Sequence, residues 1–213
     1  NSAEKSAGAR RGMLDARIEA AAGAVEQAEA RVREDDRIRV DLPDPGVPAG
    51  RRLAELTGAD GRTVVIQGPE RIALTGPNGV GKTTLVEQLV RSTPAPRAGA
   101  AAVARTERIG YLPQRLDGLD DGLSLLASVQ ASAPNQPPGV LRNRLARFLL
   151  RGDAVERPVA TLSGGERFRV ALARVLLAEP PAQLLVLDEP TNNLDLASVQ
   201  QLVDALTAYR GAL

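Results

Sequence analysis

The sequence predicts an α/β fold in which a strand, a glycine-rich loop and a helix follow one another in the middle of the chain. The loop Gly76–Thr83 fits the pattern G-x-x-x-x-G-K-[ST], a phosphate-binding loop. The apolar run Arg71–Thr75 in front of it predicts a buried strand, and Thr84–Val90 behind it predicts a helix. A later apolar run, Leu184–Asp188, predicts a second buried strand that ends in acid.

The residue types in the loop suit a polyphosphate. Glycines let backbone N–H groups turn inward around an anion, and the start of the following helix adds a positive dipole end. Lys82 supplies a point charge for the β- and γ-phosphates, and Thr83 a hydroxyl for Mg²⁺. The residues expected to bind nucleotide are Gly76, Pro77, Asn78, Gly79, Val80, Gly81, Lys82, Thr83 and Thr84.

The alternative interpretation of this loop is a glycine-rich turn with a lysine nearby. Lysine usage argues against it, because Lys5 and Lys82 are the only two lysines among 27 basic residues. A chain that otherwise uses arginine has a lysine where a compact charge suits a phosphate better than a planar fork. We therefore predict nucleotide binding.

Composition sets further bounds on function. The 213 residues allow one domain plus an appendage, and 43% hydrophobic with 25% charged residues is typical of a globular protein. A net charge of +1 predicts no strong field for nucleic acid or membrane. The sequence has no cysteine, which excludes disulfides and thiolate metal sites, and it has neither a signal peptide pattern nor a spanning apolar run. We expect a cytoplasmic protein.

The N-terminal part predicts a helical arm over residues 13–34. Apolar residues recur there at alternating steps of four and three, which is the seam spacing of a coiled coil or helical hairpin. They are Leu14, Ile18, Ala21, Val25, Ala28 and Val32. The alternative is a surface helix packed on its own domain. Because the seam implies a partner helix and none precedes it, we expect the arm to be partial.

The rest of the chain predicts alternating elements around a helical insertion. Prolines in Asp41–Pro48 indicate a boundary. A change in sequence character over Leu116–Val159 predicts a helical subdomain at about 116–165. The predicted strands are Leu53–Leu56, Thr63–Gln67 and Arg108–Leu112, and the predicted helices are Leu123–Ala131, Val140–Leu150, Glu166–Ala178 and Leu196–Ala208.

Two further clusters of polar residues carry candidate chemistry. Ser163 and Glu166 form an S-x-x-E capping box, and the glycines between them leave the helix start open to an anion. Asp188 is placed to hold Mg²⁺, and Glu189 to polarise an attacking water. The alternative is two solvated acids at a strand end.

Taken together, these motifs resemble an ATP-binding cassette (ABC) ATPase over roughly residues 60–210. The phosphate loop, Tyr111-Leu112-Pro113-Gln114, Leu162–Glu166, Leu187-Asp188-Glu189-Pro190 and Thr191–Asp195 occur in that family's order. The resemblance implies an α/β P-loop NTPase fold with a helical subdomain and a small antiparallel β subdomain. It also implies two ATP molecules sandwiched with Mg²⁺ between two cassettes.

The resemblance assigns roles to individual residues. It makes Lys82, Gln114 and Glu189 catalytic, and Thr83, Gln114 and Asp188 the Mg²⁺ ligands. Ser163, Gly164, Gly165 and Glu166 match the signature loop, which contacts ATP held by a different cassette. Asp195 matches the loop aspartate that links the two composite sites.

Thr191–Asp195 narrows the resemblance to the ABC-F subfamily. Its members carry two cassettes and a helical-hairpin linker on one chain, lack a membrane domain, and bind the ribosome as translation or antibiotic-resistance factors. The expected layout is therefore the end of a linker at 1–39 and the second cassette at 40–213. That cassette would end before the strand carrying the family's switch histidine, and the sequence contains no histidine. The isolated 213-residue chain is expected to hydrolyse ATP weakly or not at all.

Several alternatives stay open at this stage. A transporter ATPase subunit, partnered by a membrane domain, shares every catalytic motif but normally lacks the linker arm. A chromosome- or repair-type cassette is disfavoured by the absence of a long coiled coil or cysteine zinc module. The third alternative is a module that binds nucleotide without hydrolysing it. The chain also departs from the family in having no Tyr or Phe before the phosphate loop to stack on adenine.

Overall fold

The structure, a computed structural model, describes residues 42–91, 99–192, 194 and 196–213. The predicted arm helix at residues 13–34, the linker segment 1–39 and Asp195 lie outside the described residues. The division of the chain at residue 40 therefore stays a prediction. The bounds of the helical subdomain at 116–165, a range that the structure describes, also stay a prediction. The described helices and strands, in chain order, are β1 (Arg52–Thr57), β2 (Thr63–Gln67), α1 (Lys82–Arg91), β3 (Ala101–Ala104), β4 (Ile109–Leu112), α2 (Leu125–Gln130), α3 (Pro138–Ala146), α4 (Gly164–Leu176), β5 (Leu184–Leu187) and α5 (Leu196–Ala208).

The strands form two sheets with different pairing. β1 lies between β2 and β3 in a three-stranded antiparallel sheet, and β4 pairs with β5 in parallel. Every strand predicted outside Arg71–Thr75 is confirmed to within one residue at either end. β3 was not predicted, because its sequence Ala-Ala-Val-Ala has little intrinsic strand preference and depends on pairing with β1.

The helices predicted within the described residues are confirmed, most of them with shifted ends. α5 has the predicted bounds, whereas the helix predicted over Val140–Leu150 ends at Ala146. Leu149 adopts a left-handed conformation with φ of 59°, which an α-helix cannot contain. The chain then continues through two short 3₁₀ turns, Gly152–Glu156 and Val159–Thr161, into α4.

The strand predicted at Arg71–Thr75 is wrong. Leu213 exchanges both backbone hydrogen bonds with this region, donating to Glu70 (2.9 Å) and accepting from Ile72 (2.7 Å). Among the described residues, no other backbone hydrogen bond joins 71–75 to a neighbouring segment. An apolar run forms a strand only where a second chain segment satisfies its backbone groups, and here that pairing reaches a single residue.

The parallel strands fix where the candidate site residues lie. Ile109 to Leu112 face Leu184 to Leu187 in unbroken register, and Asp188 N–H extends the ladder by donating to Leu112 O at 3.0 Å. Ala212 continues the sheet beyond β5, because it donates to Gln183 O and its own carbonyl accepts from Leu185 N–H. Since the carboxyl ends of parallel strands meet at one edge, the residues after β4 and β5 are brought together there.

Two apolar clusters hold these elements in place. The larger contains Phe168, Leu172 and Leu176 of α4 together with buried residues of α2 and α3, and Phe148 within it is fully buried. Burying one such side chain stabilises the fold by about 1.5–3 kcal/mol. The smaller cluster joins β1, β2 and β5 to α1 through Leu53, which is fully buried. The phosphate-loop helix is thus anchored to the sheets by its apolar face.

Candidate nucleotide-binding site

The phosphate loop has a backbone that demands glycine at two positions. Gly79 and Gly81 have φ values of 79° and 99°, a region that side-chain-bearing residues rarely adopt. Gly81 O then accepts from Leu85 N–H at 3.0 Å, the first hydrogen bond of α1. The two glycines therefore allow the chain to curl and enter a helix within a few residues.

The Lys82 side chain binds backbone carbonyl groups at the start of the same loop. Its Nζ donates to the carbonyl oxygens of Gly76 (2.9 Å) and Pro77 (3.1 Å). An ammonium group has three N–H donors, so one remains for an anion. Gly76 to Gly81 are exposed and Lys82 is half-buried. The loop therefore presents a positive charge at the N-terminus of α1, where the helix dipole also favours negative charge.

The acids predicted after β5 meet a polar residue that follows β4. Gln114 Nε2 donates to Glu189 Oε2 at 3.0 Å, a contact that follows from the parallel register of β4 and β5. Asp188 is 8% exposed and Glu189 is exposed. The structure thus brings together the two residues that the sequence assigned to the water and the metal.

Lys82, Asp188 and Glu189 line one cavity of about 410 Å³. Its apolar wall includes Leu85 of α1 and Val186 of β5. Because Lys82 comes from the phosphate loop and the acids from the end of β5, this cavity joins a cationic side to an acidic one. Such a space can hold a phosphate chain between the two.

The predicted magnesium ligands fit a hard cation. Thr83, Gln114 and Asp188 offer a hydroxyl, an amide oxygen and a carboxylate, the oxygen donors that Mg²⁺ prefers. Asp188 is buried yet has no hydrogen-bonding partner for its carboxylate within the described ranges. A buried carboxylate in that state favours a cation. No cluster of three or more His, Cys, Asp or Glu that could hold a metal occurs among residues 42–91, 99–192, 194 and 196–213.

The signature residues form the capping box predicted from the sequence. Ser163 Oγ accepts from Glu166 N–H at 3.3 Å, and Glu166 Oε2 accepts from Ser163 N–H at 2.8 Å. The Ser163 backbone N–H is the main reason that the pKa of Glu166 lies below its ordinary value of 4.5, and Arg157 at 3.1 Å acts in the same direction. Gly164 and Gly165 open α4.

A second cavity, of about 270 Å³, extends the site toward α4. Gly164 lines it together with Gln114, Glu189 and Asn192. The start of α4 is therefore adjacent to the edge that carries the acids. The structure describes one chain, so the assignment of Ser163 to Glu166 to ATP on another cassette remains a prediction.

Sequence reasoning assigned no role to Asn192. Its Nδ2 donates to Glu189 Oε2 at 2.6 Å, so that oxygen accepts from two amides. Pro190 two residues before it was the available signal, because proline favours the second position of a tight turn. The turn is present, since Asn192 N–H donates to Glu189 O at 3.1 Å.

Comparison with known proteins shows which family this chain is similar to. The family model described as "ABC transporter" matches residues 60–192. ATP-binding protein YdiF of Bacillus subtilis is 41% identical over 144 residues, which are 68% of this chain and 22% of that protein. ATP-binding cassette sub-family F member 3 of Rattus norvegicus is 36% identical over 67% of this chain and 20% of its own length. Tylosin resistance ATP-binding protein TlrC of Streptomyces fradiae is 40% identical over 68% of this chain and 25% of its own length.

Solved structures give the same fold. Clostridium perfringens cbiO1, described as part of the ABC transporter complex cbiONQ, matches 76% of both chains with a TM-score of 0.57 and 25% identity. A metal-chelate type ABC transporter in an inward-facing conformation matches 76% of this chain and 71% of that one, with a TM-score of 0.60 and 23% identity. The chain spans about a fifth to a quarter of the length of the three relatives above.

Proposed function

Because this chain belongs to the ABC transporter family as an ABC-F ATPase cassette, we propose that it binds and hydrolyses ATP within a longer protein that acts on the ribosome. The observation that carries the catalytic part is that Lys82, Asp188 and Glu189 open onto one cavity. The sub-family F name of one relative and the resistance name of another support the ribosomal part. In the described part of the chain, no helix is both long and apolar enough to cross a membrane.

In the proposed site, residues Gly76 to Thr84 hold the phosphates of ATP. The third N–H of Lys82 binds the β- and γ-phosphate oxygens, because its other two donors are engaged by Gly76 and Pro77. Thr83, Gln114 and Asp188 hold Mg²⁺, which when bound neutralises charge on the phosphates and orients them. The partner cassette supplies its signature loop, and this chain's Ser163–Glu166 and Asp195 serve the partner's site.

Glu189 orients and polarises the attacking water. Its Oε2 already accepts two hydrogen bonds, so Oε1 is the atom available to accept one from water. Water attacks the γ-phosphorus, the bond from that phosphorus to the bridging oxygen of ADP breaks, and ADP, inorganic phosphate and the proton lost by the water leave. Because the second cassette is needed to complete the site, we expect the 213-residue chain to turn over ATP slowly or not at all.

Nucleotide binding is tested by thermal unfolding. ATP with Mg²⁺ at about a hundredfold over its dissociation constant stabilises a folded protein by about 2.7 kcal/mol, which for this size is a rise of roughly 5–10 °C in Tm. Lys82→Ala should remove most of this rise, whereas Lys5→Ala, which deletes the same charge outside the loop, should keep it. An equal rise in both variants contradicts the phosphate assignment.

The ribosomal role is tested with the full-length protein carrying Glu189→Gln, a variant that should bind ATP without hydrolysing it. We expect it to co-sediment with ribosomes when ATP is present, and the matched Glu107→Gln variant, which alters an exposed acid outside the site, to do so less. Adding Lys82→Ala to Glu189→Gln should abolish co-sedimentation. Nucleotide-dependent recovery with membrane vesicles instead would favour a transporter subunit, in keeping with the solved relatives.

A further inference from the structure

We propose that Asn192 is a positioning residue for the catalytic carboxylate: its side-chain amide holds Glu189 so that one carboxylate oxygen is left to the water. The inference rests on the proposed ATPase function and assigns a role to a residue with no place among the nucleotide or metal contacts. It is carried by the hydrogen bond from Asn192 Nδ2 to Glu189 Oε2.

Two side-chain amides donate to the same oxygen of the Glu189 carboxylate, so its two oxygens have different surroundings. Gln114 Nε2 and Asn192 Nδ2 both donate to Oε2, at 3.0 and 2.6 Å. Glu189 Oε1 has no hydrogen-bonding partner in the part of the chain that the structure describes. Two donors fixing the same oxygen from different segments set both the rotamer of the side chain and the direction in which Oε1 points.

Asn192 and Glu189 belong to one backbone turn. Glu189 has a φ of 46°, a left-handed conformation that a residue with a side chain adopts only where its surroundings enforce it. Asn192 enforces it twice, since its backbone N–H donates to Glu189 O at 3.1 Å and its side chain donates to the Glu189 carboxylate. Asn192 thus lies in the same turn as Glu189, whereas Gln114 belongs to the segment after β4.

Position 192 requires a side chain that can donate a hydrogen bond, as the Asn192 amide does. An aspartate there has the same size and offers only acceptors, so it would repel the carboxylate that the amide now binds. An alanine would remove the donor without adding charge. Both changes should leave Gln114 as the single donor to Glu189 Oε2 and so loosen the Glu189 side chain. The phosphate loop should be untouched, because Asn192 lines the cavity beside Gly164 and not the one that Lys82 lines.

The test measures ATP hydrolysis and ATP binding by the full-length protein. Asn192→Asp should lower kcat at least tenfold, with KM and the MgATP dissociation constant changed less than twofold, and Asn192→Ala should lower kcat by less. The matched control is Asn143→Asp, the same chemical change at an exposed position on α3, which should leave all three constants unchanged.

A double-mutant cycle separates positioning from a general structural role. If Asn192 acts through the Glu189 carboxylate, adding Asn192→Asp to Glu189→Gln should change the residual turnover less than twofold. A tenfold loss in both backgrounds, a parallel loss of MgATP affinity, or unchanged kcat in both Asn192 variants overturns the proposal. If the Tm shows that Asn192→Asp does not fold, Asn192→Ala replaces it in the double-mutant cycle. A wild-type protein that is not stabilised by MgATP overturns the ATPase function itself, and this inference with it.

Discussion

The guanidinium group of Arg71 lies over the ring of Tyr209, with Arg71 Cζ 5.7 Å from the ring centroid. The same group donates to the carbonyl oxygens of Gly211, Leu206 and Tyr209, at and after the last turn of α5. A cation at the C-terminal end of a helix is favoured by the dipole and satisfies carbonyls that have no partner within the helix. Arg71 therefore ties the segment that leads into the phosphate loop to the end of α5.

We expect Arg71→Met to lower the free energy of unfolding by about 1–2 kcal/mol, because it removes the donor to two partly buried carbonyl oxygens, those of Gly211 and Tyr209. Arg71→Lys keeps the charge but not the planar fork, and should lose about half as much. Urea unfolding of the chain measures both. The control is Arg62→Met, which removes an arginine whose side chain is 90% exposed and whose ion pair with Asp60 is 3.5 Å long. Equal losses at positions 62 and 71 would contradict the capping role.

A second prediction concerns Gly110, which lies in β4 directly beneath α4. A Cβ atom at this position would be 2.6 Å from Val175 Cγ1 and 3.1 Å from Ala182 Cβ. We expect Gly110→Ala to destabilise the protein by about 1–3 kcal/mol through overpacking. Combining it with Val175→Ala should restore part of the loss, because the nearest clash is then removed. Chemical denaturation of the single and double variants measures the coupling between them.

Gly118→Ala is the matched control for Gly110→Ala. An added Cβ at Gly118 would meet nothing within 4 Å, so that substitution should change the unfolding free energy by less than about 0.5 kcal/mol. If Gly110→Ala were as harmless as Gly118→Ala, α4 would pack farther from β4 than the structure has it.

The features of the fold that depend on neighbouring residues could be predicted from the sequence. The bounds of α5, the phosphate loop and the capping box at Ser163 and Glu166 each depend on residues a few positions apart. Periodicity, glycine placement and an S-x-x-E pattern express such short-range physics directly. The fold class followed from the same signals, and the family comparison confirms it.

Contacts between distant segments were not readable in the same way. The hydrogen bond from Gln114 to Glu189 depends on the register of β4 against β5, which no local pattern encodes. The close approach at Gly110 likewise depends on where α4 packs. The strand predicted at Arg71–Thr75 failed for the same reason, because its pairing with a distant segment stops at Leu213, and the run expected to be buried leaves Leu74 exposed.

The last prediction concerns acid stability and the capping box. The pKa of Glu166 is lower in the folded protein than its ordinary value of 4.5, chiefly because the Ser163 backbone N–H donates to its carboxylate. A carboxyl whose pKa falls on folding stabilises the protein above its unfolded pKa, and this contribution is lost as the pH falls through the folded value. The stabilisation from Glu166 should therefore be complete above about pH 5.5 and decline below about pH 4.5.

Glu166→Gln tests this sign, since glutamine keeps the shape of the cap without the charge. At pH 7 the variant should be less stable than the wild type by about 0.5–1 kcal/mol, the usual range for a partly exposed cap interaction. That difference should shrink toward zero as the pH falls below about 4.5 and through the lowered pKa of Glu166, as urea unfolding at successive pH values would measure. Glu107→Gln, which removes the same charge from an exposed loop residue outside any helix cap, should leave the two curves nearly parallel. A difference for Glu166→Gln that grew on acidification would mean that the neutral acid, not the carboxylate, is the form that Ser163 N–H stabilises.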